Sequence, residues 1–238
     1  MVIKVDNIKE KKRNYFMTSD EAKILWKYSK RWGSKFQVMI GLALFRGMRI
    51  SEICAVNLYD FQDQNFQKLN IILSKSHISD NFPILKEFNE LLHNYIMRNK
   101  HMFKDGYIFP FYNSRKKANH MSEKTAGALF CKLRKIIGKD YPEFLERIQD
   151  KAKGDSVNRY RIGWHSCRRF FETKLYDKYK DVRIVANIMR YRDWKTVQVY
   201  VDPYEIWKKE QELLNDTFGD FFQDLNQVGM GQTKLTSF

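Results

Sequence analysis

Arg46-Gly-Met-Arg49-Ile-Ser-Glu52 lies between two predicted helices in the first quarter of the chain. Gly47 allows a sharp turn that a residue with a Cβ resists, and Arg49 follows at the mouth of a short helix. An arginine guanidinium matches phosphate oxygens bidentately, and Glu52 can steady Arg49 one helical turn later. The stretch therefore predicts an anion site, with a surface salt bridge as the alternative interpretation.

Helical periodicity continues on both sides of this stretch. The capping box Thr18-Ser-Asp-Glu21 opens a first helix that runs to about Arg31. Pro203 suits the first turn of a last helix. Apolar residues at helical spacing predict helices over residues 35–45, 85–99, 122–137, 141–153, 165–179, 182–189, 194–200 and 203–225.

Short apolar runs separated by polar turns replace this periodicity between residues 58 and 84. They predict strands over residues 58–61, 69–73 and 81–84. The predicted fold class is therefore mainly α with a small antiparallel β-sheet, an α+β fold.

The charge of the chain favours a polyanionic partner. Lys and Arg total 43 against 28 Asp and Glu, a net charge of +15 over 238 residues. Such a field attracts nucleic acid first and an anionic membrane surface second, while a merely basic soluble protein is the alternative. No apolar run approaches the roughly 20 residues that span a bilayer, and the charged start is no signal peptide. We expect a cytoplasmic protein, in the nucleoid or a host cell, with no membrane partner.

The cysteines and histidines give no pattern typical of a metal site. Cys54, Cys131 and Cys167 are odd in number and widely spaced, which argues against disulfides and zinc. The five histidines lack HxxxH or HExxH spacing. We expect no metal or other cofactor, and buried, inert thiols.

Three further motifs carry chemistry. His165-Ser-Cys-Arg168 places an imidazole and a guanidinium on one helix face, a pairing that suits phosphoryl chemistry. A helix with a packed histidine and a solvated arginine is the alternative. Lys75 follows a predicted strand in a turn, where a proton donor or a plain surface lysine are both possible. Tyr200 lies near a predicted helix end, and it is one of thirteen tyrosines.

In this order, the motifs resemble those of the tyrosine recombinase, or phage integrase, family. The resemblance covers about residues 17–203 and implies the catalytic-domain fold of that family. It rests on five elements: Gly47-Met-Arg49-Ile-Ser-Glu52, Lys75, His165-Ser-Cys-Arg168, Met189-Arg190-Tyr191 and Tyr200.

The resemblance implies strand cleavage and rejoining of DNA without metal or ATP. Tyr200 would attack a phosphate to form a 3′-phosphotyrosine and release a 5′-hydroxyl. Arg49 and Arg168 would clamp the non-bridging oxygens. Lys75 would protonate the departing 5′-oxygen.

The remaining site residues are less regular. His165 would assist proton movement at the tyrosine or hold the phosphate. Tyr191 occupies a position where the family usually has His or Trp, and its phenol can donate a hydrogen bond to a phosphate oxygen. Arg190 replaces the usual glycine and is a predicted phosphate contact.

The implied partners are double-stranded DNA and further copies of the chain, four protomers on two DNA sites. The last helix, 204–225, can dock on a neighbouring protomer, and packing on its own domain is the alternative. Besides Arg190, the predicted contacts to the DNA backbone are Lys116, Lys117, Arg159 and Arg161. The aromatic residues of the last helix are Phe218, Phe221 and Phe222.

The predicted organisation has four parts. A basic arm, 1–16, precedes the catalytic domain, 17–203, and a flexible tail, 226–238, follows the last helix, 204–225. Most relatives carry an N-terminal core-binding domain, so we expect either a fragment or a minimal form. Two other functions stay open: a type IB topoisomerase-like enzyme that relaxes DNA, and a catalytically inactive DNA-binding module that regulates recombination.

Overall fold

A computed structural model describes residues 17–61, 65–72, 79–103, 105–111, 120–149, 158–179, 181–190 and 203–230. Within these residues the chain is mainly helical, as predicted from its periodicity. The α-helices are α1 Ser19–Trp32, α2 Ser34–Arg46, α3 Ile50–Ala55, α4 Lys86–Asn99, α5 Glu123–Ile137, α6 Trp164–Tyr179, α7 Val182–Ile188 and α8 Pro203–Met230.

Helix α1 begins as the sequence predicted. The Thr18 hydroxyl accepts a hydrogen bond from the Glu21 N–H at 3.1 Å, and the Glu21 carboxylate accepts one from the Thr18 N–H at 2.8 Å. Two amides that lack a partner within the helix are thereby satisfied. The capping box is confirmed.

The described strands form two separate antiparallel hairpins. Strand β1, Lys68–Ile72, pairs with β2, Ser79–Pro83, with Asn70 opposite Asn81. Strand β3, Arg147–Gln149, pairs with β4, Asn158–Tyr160.

Two sequence predictions are wrong in this region. Leu58–Asp60 is a 3-10 turn rather than a strand, because the Asn57 side chain and the Asp60 carboxylate cap it in reciprocal fashion. The helix predicted over 141–153 is instead a 3-10 turn, Pro142–Leu145, followed by β3. Residues 147–149 are a strand because they pair with residues 158–160, and residues 150–153 lie outside the described residues.

Helix α2 runs through the centre of the core. Its residues 36–46 are all buried, and α1, α4 and α6 pack against it. Phe45 meets Trp26 edge-on, with ring centroids 5.0 Å apart. Phe88 joins the same cluster and closes over Gly41, where an added Cβ would lie 2.1 Å from the ring. The core thus fixes α2 and the turn that follows it.

Helix α8 packs on its own domain. Phe218 and Phe222 are buried, and Phe218 stacks on Phe171 with centroids 5.3 Å apart and planes 4° apart. Phe221 is partly buried against the same core. The aromatic face of the helix therefore packs on its own domain, and a contact of the helix with a neighbouring protomer stays a prediction. The helix also extends to Met230, so residues 226–230 of the predicted tail, 226–238, are helical, and residues 231–238 lie outside the described residues.

The predicted burial of the cysteines is confirmed for Cys54 and Cys167 and wrong for Cys131. Cys54 and Cys167 are buried and Cys131 is partly exposed, and all three are free thiols. Burial raises the pKa of Cys54 to about 12 and raises the pKa of Cys167 as well. Within the described ranges, no helix is long and apolar enough to cross a membrane.

Candidate active site

The turn between α2 and α3 determines where Arg49 stands. Gly47 adopts the left-handed conformation, with φ +65°, and the Met48 N–H closes the end of α2 on the Leu42 carbonyl at 3.2 Å. A Cβ on Gly47 would lie 2.5 Å from Cδ1 of Phe171. The backbone angle and the nearby ring both require glycine, which confirms the predicted sharp turn.

Glu52 holds Arg49 by two contacts. One carboxylate oxygen accepts a hydrogen bond from the Arg49 N–H, and the other pairs with Nη1, both at 2.7 Å. The Arg49 side chain is 21% exposed, whereas that of Glu52 is 1% exposed. The prediction that Glu52 steadies Arg49 is confirmed, and the buried carboxylate distinguishes the pair from a surface salt bridge.

Arg168 brings the second motif to the first. It lies on α6 with only 7% of its surface exposed. Its Nη1 donates to the Gly47 carbonyl, and its Nη2 donates to the Met189 carbonyl at 3.2 Å. His165, one turn earlier on α6, is exposed. The structure contradicts the alternative interpretation of a packed histidine and a solvated arginine, because Arg168 is buried and His165 is exposed.

The end of α7 and the next residue, Met189, accept hydrogen bonds from several arginines. Ile188 O accepts a hydrogen bond from Nη1 of Arg46 at 3.4 Å, and Met189 O accepts the one from Arg168. Arg46 is 3% exposed, and its guanidinium lies 5.9 Å from the Phe171 ring centroid. Sequence reasoning missed Arg46, although an arginine that ends an otherwise apolar helix is a visible signal.

Of these three arginines, Arg49 is the one whose side chain reaches the surface, while Arg46 and Arg168 are buried. Arg49 is partly exposed beside a turn whose carbonyl groups are bonded to buried guanidinium groups. Cations that are held in place before a reaction stabilise developing negative charge without a cost of reorganisation. Within the described residues, no cluster of His, Cys, Asp or Glu has the geometry to hold a metal ion.

The phage integrase family matches this chain over residues 15–205, which contain both arginine motifs. The chain belongs to the phage integrase family. No curated protein sequence matches the chain.

Solved structures of integrases and recombinases share its fold. XerA recombinase is 17% identical with a TM-score of 0.56, over 86% of this chain and 64% of that one. The integrase from mycobacterium phage Brujita is 16% identical with a TM-score of 0.54, over 85% and 61%. The Tn1549 transposon integrase, in complex with circular intermediate DNA, is 17% identical with a TM-score of 0.54, over 87% and 66%. This chain therefore spans less than two thirds of each of them.

Other predicted contact residues of this phage integrase-family chain take part in internal contacts. Arg190 donates to three main-chain carbonyl groups, of Asn187, Ile188 and Asn81. Arg161 pairs with Glu21 and, at 2.8 Å, with Glu146. Two carboxylates balance its charge, so Arg161 attracts DNA less than an isolated cation would. The DNA contacts of both arginines stay predictions.

Several predicted site residues lie outside the described residues. They are Lys75, Lys116, Lys117, Tyr191 and Tyr200, together with the arm 1–16, the helix 194–200 and the tail beyond residue 230. Arg159 lies in β4, and its side chain is also outside the description. The structure therefore brings together Arg49, Arg168 and, on the same helix as Arg168, His165.

Proposed function

We propose that this protein is a site-specific DNA recombinase that cleaves and rejoins strands through a phosphotyrosine at Tyr200. The observation that carries the proposal is the hydrogen bond from Arg168 to the Gly47 carbonyl. It joins two motifs that lie 119 residues apart in sequence at Arg49 and Arg168. Membership of the phage integrase family supports the same activity.

The reaction needs a nucleophile, a clamp and a proton donor. The Tyr200 oxygen attacks phosphorus, the bond from phosphorus to the 5′-oxygen breaks, and a 3′-phosphotyrosine remains. Arg49 and Arg168 stabilise the charge on the non-bridging oxygens. Lys75 gives a proton to the departing 5′-oxygen. Reversal of these steps by a new 5′-hydroxyl rejoins the strand, so the bond energy is kept without ATP.

The other motif residues complete the site. His165 either accepts the tyrosine proton or holds the phosphate, and its exposed position on α6 suits both roles. Tyr191 donates a hydrogen bond to a non-bridging oxygen. Lys116, Lys117, Arg159 and Arg161 contact the DNA backbone. Recombination takes place in a tetramer on two DNA sites, and the catalytic domain spans residues 17–203.

Covalent trapping tests the nucleophile. The probe is a pool of duplex oligonucleotides with a randomised core and a nick in one strand, so that a cleaved fragment diffuses away before rejoining. We expect a protein–DNA band that survives denaturing detergent, and its loss in Tyr200→Phe. The trapped duplexes also identify the preferred site.

Two other results would redirect the proposal. No covalent band from the unmodified protein, with retained DNA binding, would favour the inactive DNA-binding module. A covalent band together with relaxation of supercoiled plasmid, but without exchange between two trapped sites, would favour a type IB topoisomerase-like enzyme.

A further inference from the structure

Arg190 has an unusual backbone for an arginine. Its φ is +57°, in the left-handed region that favours glycine. Its N–H donates to the Asn187 carbonyl at 3.0 Å, which ends the helical ladder of α7. A side chain that is kept at such a position needs compensating contacts.

The guanidinium supplies those contacts. Its Nη1 donates to the carbonyl of Asn187 at 2.8 Å and to that of Ile188 at 3.2 Å, so it caps the last turn of α7. Its Nη2 donates to the Asn81 carbonyl at 2.9 Å. One side chain therefore joins the end of α7 to strand β2, 109 residues earlier in sequence.

The hairpin that receives this bond is short, with five residues in each strand. A two-stranded hairpin is marginally stable alone. At its base, the Ile84 N–H donates to the Gln67 carbonyl at 2.9 Å, and Gln211 of α8 donates to the Ile84 carbonyl at 3.0 Å. Asn81 lies two residues after Ser79, the first residue of β2. The Arg190 bond therefore supports β2 at Asn81, three residues before Ile84.

We propose that Arg190 is a positioning residue that sets the distance between the β1–β2 hairpin and the arginine site. The inference rests on the proposed function, in which Lys75, which lies between the two strands in sequence, protonates the leaving 5′-oxygen. The other end of this link between β2 and α7 is the turn at Met189, whose carbonyl binds Arg168. Arg168 and Arg190 are therefore both bonded to main-chain carbonyl groups at the end of α7.

Hydrogen exchange tests the tie directly, without DNA. Arg190→Gly removes the guanidinium and relieves the backbone strain, because glycine favours this φ. We expect the amides of β1 and β2 to exchange about tenfold faster in this variant, since the hairpin loses a support. The matched control is Arg183→Ala, which removes an exposed arginine of α7 that pairs with Asp181. Unchanged exchange in Arg190→Gly would overturn the tie.

A sulfur substitution tests the link to Lys75. In a trapped duplex whose 5′-bridging oxygen is replaced by sulfur, the leaving thiolate needs little protonation, since thiol pKa values lie near 8.5. With the oxygen duplex, we expect Arg190→Gly to form the covalent adduct about 10²-fold more slowly, the size expected for a misplaced catalytic group. With the sulfur duplex, its rate should return to within about threefold of the unmodified protein. Arg183→Ala should match the unmodified protein on both duplexes.

A phosphate contact by Arg190 would give a different result. Arg190→Gly would then be slow on both duplexes, and its DNA affinity would lose about one unit of salt dependence. That outcome overturns the positioning role. If instead the unmodified protein forms no adduct with either duplex, the proposed function fails, while the exchange experiment still decides whether Arg190 ties β2 to α7.

Discussion

The guanidinium of Arg168 donates a hydrogen bond to the main-chain carbonyl of Gly47, two residues before Arg49. One arginine thus fixes the backbone that presents the other. Because the second nitrogen of Arg168 is bonded to the Met189 carbonyl, the same side chain also fixes the turn after α7. The position of each cation depends on the others, so we expect changes at this point to affect folding and chemistry together.

Replacing Arg168 by lysine should test this dependence. One ammonium group cannot serve both carbonyl groups in the geometry of the guanidinium fork. We expect the free energy of unfolding to fall by about 1.5–3 kcal/mol, the value of a buried hydrogen bond to a charged group. Urea denaturation measures this loss. The exposed Arg98 of α4 provides the control, since Arg98→Lys should leave the urea midpoint unchanged.

Two glycine substitutions should have opposite effects. Gly47→Ala places a methyl group 2.5 Å from Phe171 at a positive φ, so we expect a loss of more than about 1 kcal/mol in stability. Gly127 lies in α5 with open space around its added Cβ. Gly127→Ala should therefore stabilise the protein by about 0.4–1 kcal/mol. Thermal unfolding compares the two, and equal melting temperatures would contradict the turn geometry.

Glu52→Gln should separate chemistry from DNA binding. The amide keeps the shape of the carboxylate but loses the charge that orients Arg49. We expect the interaction between residue 52 and Arg49 to weaken by about 1–1.5 kcal/mol. The covalent adduct should therefore form roughly tenfold more slowly. DNA affinity should remain within about twofold, because the backbone charge contacts are unchanged. A parallel fall of affinity and rate would show that Glu52 supports the whole interface instead.

Phe218→Ala should destabilise the isolated chain. Phe218 is fully buried and stacked on Phe171, so we expect a cost of about 3–5 kcal/mol. Ile136 is 46% exposed, and Ile136→Ala is a suitable control. Sedimentation should show the same oligomeric state for Phe218→Ala at temperatures where it remains folded. A change from oligomer to monomer with little loss of stability would point to a protomer contact.

Thiol alkylation should distinguish the three cysteines. Reaction requires the thiolate, and burial raises the pKa of Cys54 to about 12 and also raises that of Cys167. At pH 8 both thiols stay protonated as well as inaccessible. We expect iodoacetamide to modify the partly exposed Cys131 first and the other two only after unfolding. Mass spectrometry of peptides from the native protein measures the order.

Local signals predicted most helices of this fold. The capping box at Thr18, the apolar face of α2 and the proline at residue 203 each depend on neighbours within one or two turns, so the sequence is sufficient to place them. The failed predictions are those that tertiary contacts decide. Residues 147–149 become a strand only because residues 158–160 pair with them, and a partner strand is not visible in the run from residue 141 to residue 153.

In the candidate site, too, local motifs predicted some residues, whereas tertiary contacts decided the role of others. Residue type and spacing predicted Arg49, Glu52 and Arg168, since each stands in a short motif. The side chains of Arg46 and Arg190 bind main-chain carbonyl groups that lie far away in sequence. Any residue offers such a carbonyl, so no motif marks the acceptor, and only the folded chain reveals these contacts.

The packing of Phe218 and Phe222 of α8 into the core has a practical consequence. Similarity to the family ends at residue 205, yet Phe218 and Phe222 fill the space between Phe45, Phe171 and Trp26. A version of the protein cut at the end of the similarity would leave those three rings open to water. It would aggregate or melt early, so the folding unit extends beyond residue 205, where the family match ends.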